Sequence, residues 1–304
     1  MLIVGSNTGG GKPESERDSK RLGKWMESKD PDFVGCQELM EGWRGGRKDG
    51  DVLAALIDEM PNHRGYFVPT VESGCHPCPP TVPGTDKPGK WFNLTFRTYS
   101  KAAQGNGLIV RKDWTIVHLF TGLLEGPDLL PACIQISQPM PFEGDRETEP
   151  RCLILARFSH VSKGEVIVAN LHLTKLRDEP PGGVTVGMAV RRGQIDAVDR
   201  VLARLRALIP EVPIFLVGDF NAQATLFNGQ PPGDEFLPLR NRKLLCATDS
   251  YTGTTGTHVK DGTFIDHIWV WPSHTRQYRV RECHVLEGLE QATDHRPVVS
   301  TFEA

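Results

Sequence analysis

Eight polar side chains lie beside short apolar stretches of the sequence, where a buried strand would not need them for packing. A single residue of this kind is more often a cap on the next turn than a functional group. Several carboxylates buried together repel one another and lose hydration unless a cation neutralises them. Oxygen donors of this type indicate Mg²⁺ or Mn²⁺ rather than zinc. The eight residues are Asn7, Glu38, His172, Asp219, Asn221, Asp266, Asp294 and His295.

The apolar stretches beside these residues are short, rich in β-branched residues and bounded by Gly or Pro, which is typical of buried strands. Amphipathic segments at 51–60 and 188–209 lie between them, and their apolar spacing predicts helices. Polar residues at several strand ends indicate a site at one edge of a sheet in an α/β fold. The predicted strands lie at 2–4, 33–36, 166–169, 214–217, 268–270 and 297–299.

Composition narrows the class of protein. The 304 residues include 35 Lys and Arg against 38 Asp and Glu, and the net charge of −3 argues against a generally cationic nucleic-acid binder. No uncharged apolar run approaches the ~18 residues of a membrane span, and the first residues lack the pattern of a signal peptide, so a cytoplasmic location is expected. We also expect one domain over 1–304, with irregular Pro- and Gly-rich segments near 61–105 and 226–243.

The residues of several short motifs, and the order of these motifs along the chain, resemble those of the endonuclease/exonuclease/phosphatase superfamily. Its members are metal-dependent phosphoesterases with a pancreatic-deoxyribonuclease-like fold. The resemblance spans nearly the whole chain, and Arg192 with Gln194 also matches the helix that follows the family's histidine motif. It implies a four-layer αββα sandwich, two mixed β-sheets flanked by helices, with the site at one end of the sheets. The motifs are SN at 6–7, QE at 37–38, NLH at 170–172, GDFN at 218–221, IDHI at 265–268 and TDHRPV at 293–298.

The resemblance implies a metal centre made by three of the residues. Glu38 matches the principal metal ligand, Asn7 supports it, and Asp294 contributes to the metal cluster. Bound Mg²⁺ or Mn²⁺ would polarise the P–O bond and stabilise the leaving oxygen. Whether one or two ions bind is left open.

The other five residues match the family's catalytic positions. Asp219 would orient or deprotonate the attacking water, and Asn221 would hold a phosphate oxygen. His295 would contact the phosphate while Asp266 fixes its tautomer, and His172 would donate another hydrogen bond to the phosphoryl group. Either Asp219 or the pair of Asp266 and His295 could be the general base.

The NLH motif separates branches of the family, because abasic-site endonucleases usually carry a tyrosine-containing motif there. We therefore expect a divalent-metal-dependent phosphodiester hydrolase, a nuclease that uses direct in-line attack by water. The alternative is a phosphatase or phosphodiesterase of a small molecule or a phospholipid head group, with the same catalytic residues. A catalytically silent binding module is disfavoured, since an idle site has no reason to keep costly clustered carboxylates.

Two further features have an ordinary and a functional interpretation. Cys75 and Cys78 could form a zinc or redox pair, but no second cysteine pair has suitable spacing, so a Pro-rich loop with incidental thiols is favoured. An aromatic and basic rim could stack bases and hold phosphates, or could be an ordinary strand face with charged side chains. Its residues are Trp43, Arg44, Arg47, Lys48, Trp91, Phe92, Arg97 and Tyr99.

Overall fold

A computed structural model describes residues 1–9, 15–41, 51–72, 103–119, 131–137, 151–175, 183–290 and 292–304. Within these ranges the helices are α1 (Ser15–Lys29), α2 (Val52–Asp58), α3 (Gly183–Leu208) and α4 (Leu237–Asn241). The strands are β1 (Leu2–Asn7), β2 (Phe33–Glu41), β3 (His63–Glu72), β4 (Ala103–Arg111), β5 (Thr115–Val117), β6 (Ala132–Ser137), β7 (Arg151–His160), β8 (Gly164–His172), β9 (Ile214–Asp219), β10 (Leu245–Cys246), β11 (Asp266–Trp271), β12 (Arg279–Val285) and β13 (Val298–Glu303).

The strands form two mixed sheets. The first has the order β12-β13-β1-β2-β4-β3, in which β1 and β2 are parallel and their neighbours antiparallel. The second has the order β10-β11-β9-β8-β7-β5, in which β8 and β9 are parallel, and β6 also pairs with β7. Each parallel pair places the ends of its two strands at the same edge of the sheet.

Three apolar clusters show how the layers pack. One lies between the two sheets and joins Phe33 of β2 to Phe158 of β7 and Phe215 of β9. A second contains Leu22 of α1 and Leu56 of α2 with the other face of the first sheet. A third covers the outer face of the second sheet with the apolar side of α3, which repeats at Ile195, Val198, Leu202 and Leu205. The architecture is therefore the predicted α/β sandwich of two mixed sheets flanked by helices.

The two sheets approach each other closely near the predicted site. A Cβ atom placed on Gly35 of β2 would lie 2.9 Å from Cγ1 of Val217 on β9, nearer than side chains tolerate. Glycine at this position therefore lets the parallel centres of the two sheets pack together.

Parts of both segments predicted to be irregular have regular structure in the described residues. Residues 63–72 form β3, an edge strand that accommodates Pro69 beside a register shift, so this part of the first segment is regular. In the second segment, a 3₁₀ turn at Asp234–Phe236 leads into α4. Residues 103–105 of the first segment belong to β4, and 73–102, with Cys75 and Cys78, lie outside the described residues. None of the described helices is long and apolar enough to cross a membrane.

Candidate active site

Asp219 lies at the centre of the predicted site, as the last residue of β9. Every residue of β9 is buried, so the strand ends by carrying a carboxylate into the space between the sheets. Its strand neighbours are His172, in register on the parallel strand β8, and Asp266, in register on the antiparallel strand β11. Three motifs far apart in the sequence thus meet because three strands pair at one edge of the second sheet.

Asn7 connects Asp219 to the first sheet. It is the fully buried last residue of β1, and its Nδ2 donates to Oδ2 of Asp219 over 2.9 Å. The same nitrogen lies 3.2 Å from Oε1 of Glu38, to which it donates a second hydrogen bond. Asn7 therefore holds two carboxylates from different sheets beside each other.

Glu38 lies within β2 rather than after it, so the prediction that it follows the strand was wrong. The strand continues to Glu41, and the register with β4 shifts between Cys36 and Leu39. At this bulge Glu38 has a φ of 54°, which is unusual for a residue with a side chain. The bulge turns the Glu38 carboxylate toward Asn7. Oγ1 of Thr8 stabilises the bulge, because it donates to the backbone carbonyl of Glu38 over 3.0 Å.

Two nearly buried histidines face these carboxylates. Nε2 of His172 lies 3.7 Å from Oε1 of Glu38 and 3.5 Å from Oδ2 of Asp219. Nε2 of His295 lies 3.8 Å from the same oxygen of Asp219, and its Nδ1 lies 2.9 Å from Oδ2 of Asp266. The structure therefore brings together the predicted pair of Asp266 and His295 and aims it at Asp219.

Asn221 is placed by a turn directly after β9. Its φ is 48°, and its backbone N–H donates to Oδ1 of Asp219 over 2.7 Å, while Nδ2 donates to the Leu173 carbonyl over 2.9 Å. The Asn221 carbonyl accepts from Nη1 of Arg191, a buried residue of α3. The helix predicted to follow the histidine motif is α3, in which Arg192 is exposed and Arg191 is on the face turned to the site.

Asp294 completes the set of eight. Its carboxylate lies in a group with His258 and His295, whose candidate donor atoms are all within 4.8 Å of one another. Oδ1 of Asp294 and Oδ1 of Asp266 are buried, and neither has a hydrogen-bond partner among the described residues. Buried carboxylate oxygens left unpaired in this way fit a divalent cation, since a cation would neutralise them.

The carboxylates and imidazoles shift one another's protonation. Burial and the neighbouring Asp266 raise the pKa of Asp219 to about 6, although His295 and Asn7 oppose this change. Burial alone would lower the pKa of His295, but the carboxylates of Asp266, Asp219 and Glu38 outweigh it and raise that pKa above its usual value. Burial lowers the pKa of His172 well below its usual value, and nearby positive charges add to this effect. These shifts favour the charged form of the His295 imidazole, the neutral form of the His172 imidazole and proton uptake by Asp219.

Some residues at the site carry no signal in the sequence. A cleft beside Glu38 and His172 is lined by Thr70, Gln104, Gly105, Asn106, Arg151 and Cys152. His258 packs against His295 with their ring centroids 5.0 Å apart. Neither the cleft residues nor His258 stand at the end of an apolar stretch of the sequence. Their place in the site is therefore visible only in the folded structure. The predicted rim of aromatic and basic residues at 43–48 and 91–99 lies outside the described residues.

The sheets, the buried acidic centre and its paired histidines define a phosphoesterase. The model of the Endonuclease/Exonuclease/phosphatase family matches residues 5–295, and the chain belongs to this family, whose members are divalent-metal-dependent phosphoester hydrolases. The sequence matches no curated protein.

Solved structures share the fold at low sequence identity. The mannosyl-6-phosphatase of Bacteroides thetaiotaomicron is 16% identical, with 100% of both chains covered and a TM-score of 0.63. The human Nocturnin catalytic domain with bound sulfate is 17% identical, covering 100% of this chain and 94% of that chain, with a TM-score of 0.63. A humanized D. rerio TDP2 with 14 mutations is 14% identical, covering 100% of this chain and 99% of that chain, also with a TM-score of 0.63.

Proposed function

We propose that this protein is a Mg²⁺- or Mn²⁺-dependent phosphodiester hydrolase in which Asp219 activates water for direct in-line attack on phosphorus. The observation that supports this most strongly is the position of the Asp219 carboxylate. It accepts from Asn7, faces His172 and His295, and has a pKa raised by burial toward neutrality. A carboxylate in these surroundings can orient a water and take its proton.

The residues around Asp219 have complementary tasks. His295, whose pKa is raised, presents a positive charge to the phosphoryl oxygens as negative charge develops on them, and Asp266 holds its ring in place. This protonation supports Asp219 rather than His295 as the base. Asn221 would offer its second amide N–H to a phosphoryl oxygen, because within the part of the chain that the structure describes its amide donates one hydrogen bond, to the Leu173 carbonyl.

Glu38, Asn7 and Asp294 are the residues proposed to hold the cation. Their oxygen donors suit a hard divalent ion, and the unpaired Oδ1 of Asp294 is available to it. The bound ion would polarise the P–O bond and stabilise charge on the leaving oxygen.

Nucleic acid is the first substrate class proposed, on the strength of the motifs. The cleft beside Glu38 favours a second class, a small phosphate ester or a phospholipid head group. Its described lining offers hydroxyl, amide and guanidinium groups from Thr70, Asn106 and Arg151, and no aromatic ring on which a base could stack. The net charge of −3 points the same way, because binding to long nucleic acids relies on many cationic contacts.

Hydrolysis assays test the chemistry. Bis-p-nitrophenyl phosphate should be hydrolysed with Mg²⁺ or Mn²⁺ and should not turn over in excess chelator. Glu38→Gln should raise the Mn²⁺ concentration for half-maximal rate at least ~10-fold, since it removes a charged ligand. The matched control Glu211→Gln changes an exposed residue and should behave as wild type. Full turnover in chelator would refute the proposal.

Substrate class requires a separate comparison. Single- and double-stranded oligonucleotides should be assayed beside bis-p-nitrophenyl phosphate and p-nitrophenyl phosphate at several salt concentrations. Each phosphate contact on a single strand should lower log affinity by ~0.7 per unit of log salt, whereas a small ester should show little salt dependence of KM. A preference for small esters and no salt dependence would favour the second class.

A further inference from the structure

His267 of the IDHI motif is a buried imidazole that follows Asp266 on β11. Side chains of successive strand residues point to opposite faces of a sheet. Because Asp266 bonds His295 in the site, the His267 side chain lies on the other face of the second sheet. Its residue is 1% exposed, and its ring packs among three aromatic rings, at centroid distances of 5.7 Å from Phe220, 6.1 Å from Phe236 and 5.4 Å from Phe264.

Both nitrogens of the His267 ring contact polar groups. Nε2 lies 3.0 Å from the backbone nitrogen of Ala224 and 2.9 Å from the carbonyl oxygen of Ala222. Nδ1 lies 2.8 Å from Oγ1 of Thr248. Burial lowers the pKa of His267 to about 4, which favours the neutral ring at neutral pH. Either neutral tautomer bonds the same segment, since Nε2 accepts from the Ala224 N–H in one and donates to the Ala222 carbonyl in the other.

These contacts fall on the residues that directly follow Asn221. The φ of Asn221 is 48°, a conformation that a residue with a side chain seldom adopts unless its surroundings hold it there. In this conformation the Asn221 N–H donates to Oδ1 of Asp219 over 2.7 Å. Arg191 of α3 bonds the turn at the Asn221 carbonyl, whereas His267 bonds the next residues from β11. The turn is therefore held from two elements.

We propose that His267 is a positioning residue for hydrolysis, whose imidazole holds the turn after β9 so that Asn221 is aimed at Asp219 and at the phosphoryl oxygen. The inference rests on the proposed function in giving these tasks to Asp219 and Asn221. His267 itself lies on the face of the sheet away from the reacting atoms, so it acts on catalysis only through the turn. Two adjacent residues of β11 then support the site from opposite faces, because Asp266 orients His295 while His267 orients Asn221.

Substitutions at His267 separate its hydrogen bonds from its packing. His267→Phe keeps an aromatic ring but loses every hydrogen bond to the turn, and it should lower kcat on bis-p-nitrophenyl phosphate ~10- to 10²-fold. His267→Gln places an amide near the position of Nε2, so kcat should return to within about fivefold of wild type. If His267→Phe does not fold, the smaller His267→Leu carries the same expectation. A kcat within about threefold of wild type in the variant that lacks these bonds would overturn the proposal.

The matched control is His63→Phe, which also removes a buried imidazole. Both ring nitrogens of His63 are bonded, Nδ1 to Glu27 and Nε2 to the Pro31 carbonyl. His63 begins β3, at the end of that strand away from Thr70 of the cleft. This variant should keep the wild-type kcat. An equal loss of kcat in His63→Phe and His267→Phe would overturn the proposal, since it would show a general effect of losing a buried imidazole.

A double-mutant cycle with Asn221→Ala tests whether His267 acts through Asn221. When Asn221 has already been replaced by alanine, His267→Phe should lower kcat by less than about threefold further. Losses of kcat that multiply would overturn the proposal, because they would mean that the two residues contribute independently.

Crystal structures of the wild type and of both His267 variants decide the placement of the turn without substrate. The hydrogen bond from the Asn221 N–H to Asp219 should be lost in His267→Phe and kept in His267→Gln. Retention of this bond in His267→Phe would overturn the proposal. If the turn is displaced in His267→Phe and the wild type hydrolyses no phosphoester, the proposed function is rejected and His267 remains the residue that places Asn221.

Discussion

Gln37 and Asn170 join the two sheets by a buried hydrogen bond, in which Nε2 of Gln37 donates to Oδ1 of Asn170 over 2.5 Å. Nδ2 of Asn170 donates in turn to the carbonyls of Cys36 and Gly107, each over 2.8 Å. Gln37 directly precedes Glu38, and Asn170 lies two residues before His172. This link therefore fixes the distance between site residues that come from opposite sheets.

Asn170→Ala should destabilise the fold by roughly 2–4 kcal/mol, because two buried carbonyls lose a donor and the Gln37 amide loses one of its two acceptors. Urea denaturation measures the free energy of unfolding. Asn241→Ala, at an exposed position, is the control and should stay within about 0.5 kcal/mol of wild type. A loss below about 1 kcal/mol for Asn170→Ala would mean that water replaces the amide.

Asp219→Asn should lower kcat on bis-p-nitrophenyl phosphate by ~10²–10⁴-fold with little change in KM, because it keeps the shape and removes the proton acceptor. Asp234→Asn changes an exposed residue and should leave kcat unchanged. A decrease of less than about tenfold would show that Asp219 is not the base.

Asp266→Ala and His295→Ala should have non-additive effects on kcat/KM. The carboxylate of Asp266 acts through the imidazole to which it is bonded at 2.9 Å, so the double variant should lose little more than His295→Ala alone. Steady-state kinetics of both single variants and the double variant measure this coupling. Additive losses would mean that the two residues contribute independently.

Sequence patterns predicted the parts of the site that coincide with strand ends. Asp219 lies at the end of one buried strand and Asp266 at the beginning of another. The two residues therefore lie side by side once these strands pair. The position of Glu38 within a bulge was not predictable, since nothing in the apolar pattern shows where a strand gains an extra residue. His258 was missed because its loop reaches the site through a single bridge to His295. The roles of the eight residues and the single domain over 1–304 remain predictions.

The buried contacts of Arg191 were not predicted, because the resemblance that pointed to this helix named its exposed neighbour Arg192. Nε and Nη2 of Arg191 donate to Oε1 of buried Glu235, over 2.9 and 2.6 Å, and Nη1 donates to the Asn221 carbonyl. This buried pair therefore connects α3, the turn after Asp219 and the 3₁₀ segment at Asp234–Phe236.

Arg191→Met should destabilise the fold by ~3–5 kcal/mol, because it leaves the Glu235 charge buried and unpaired. Arg191→Met with Glu235→Leu should recover part of that stability but not kcat, since Asn221 still lacks its donor. We expect kcat to be reduced ~10- to 10²-fold in both the single and the double variant. Arg204→Met, at an exposed position of α3, is the control. Recovery of kcat in the double variant would limit the pair to a purely structural role.

Asp32 is a buried acceptor at the start of β2, far in sequence from most of its donors. Its Oδ1 accepts from Arg111 over 2.7 Å, Trp114 over 3.0 Å and Lys163 over 2.6 Å, and its Oδ2 accepts from the Leu2 backbone over 2.9 Å. Burial alone would raise the pKa of Asp32, but the hydrogen bonds from Lys163 and Trp114 outweigh it and hold the pKa below its usual value. Folding therefore favours the ionised form.

The lowered pKa makes the contribution of Asp32 to stability depend on pH. Above the unfolded-state value of ~3.9 the contribution is complete, and it is lost as the pH falls through the lower folded-state pKa. Asp32→Asn should cost ~1–3 kcal/mol at pH 7, because Arg111 and Lys163 lose their charged acceptor. Its stability should then decline less steeply below pH 4 than that of wild type. Urea denaturation from pH 2 to 7 checks this, with exposed Asp58→Asn as the control. Parallel curves for Asp32→Asn and wild type would show that Asp32 does not titrate differently on folding.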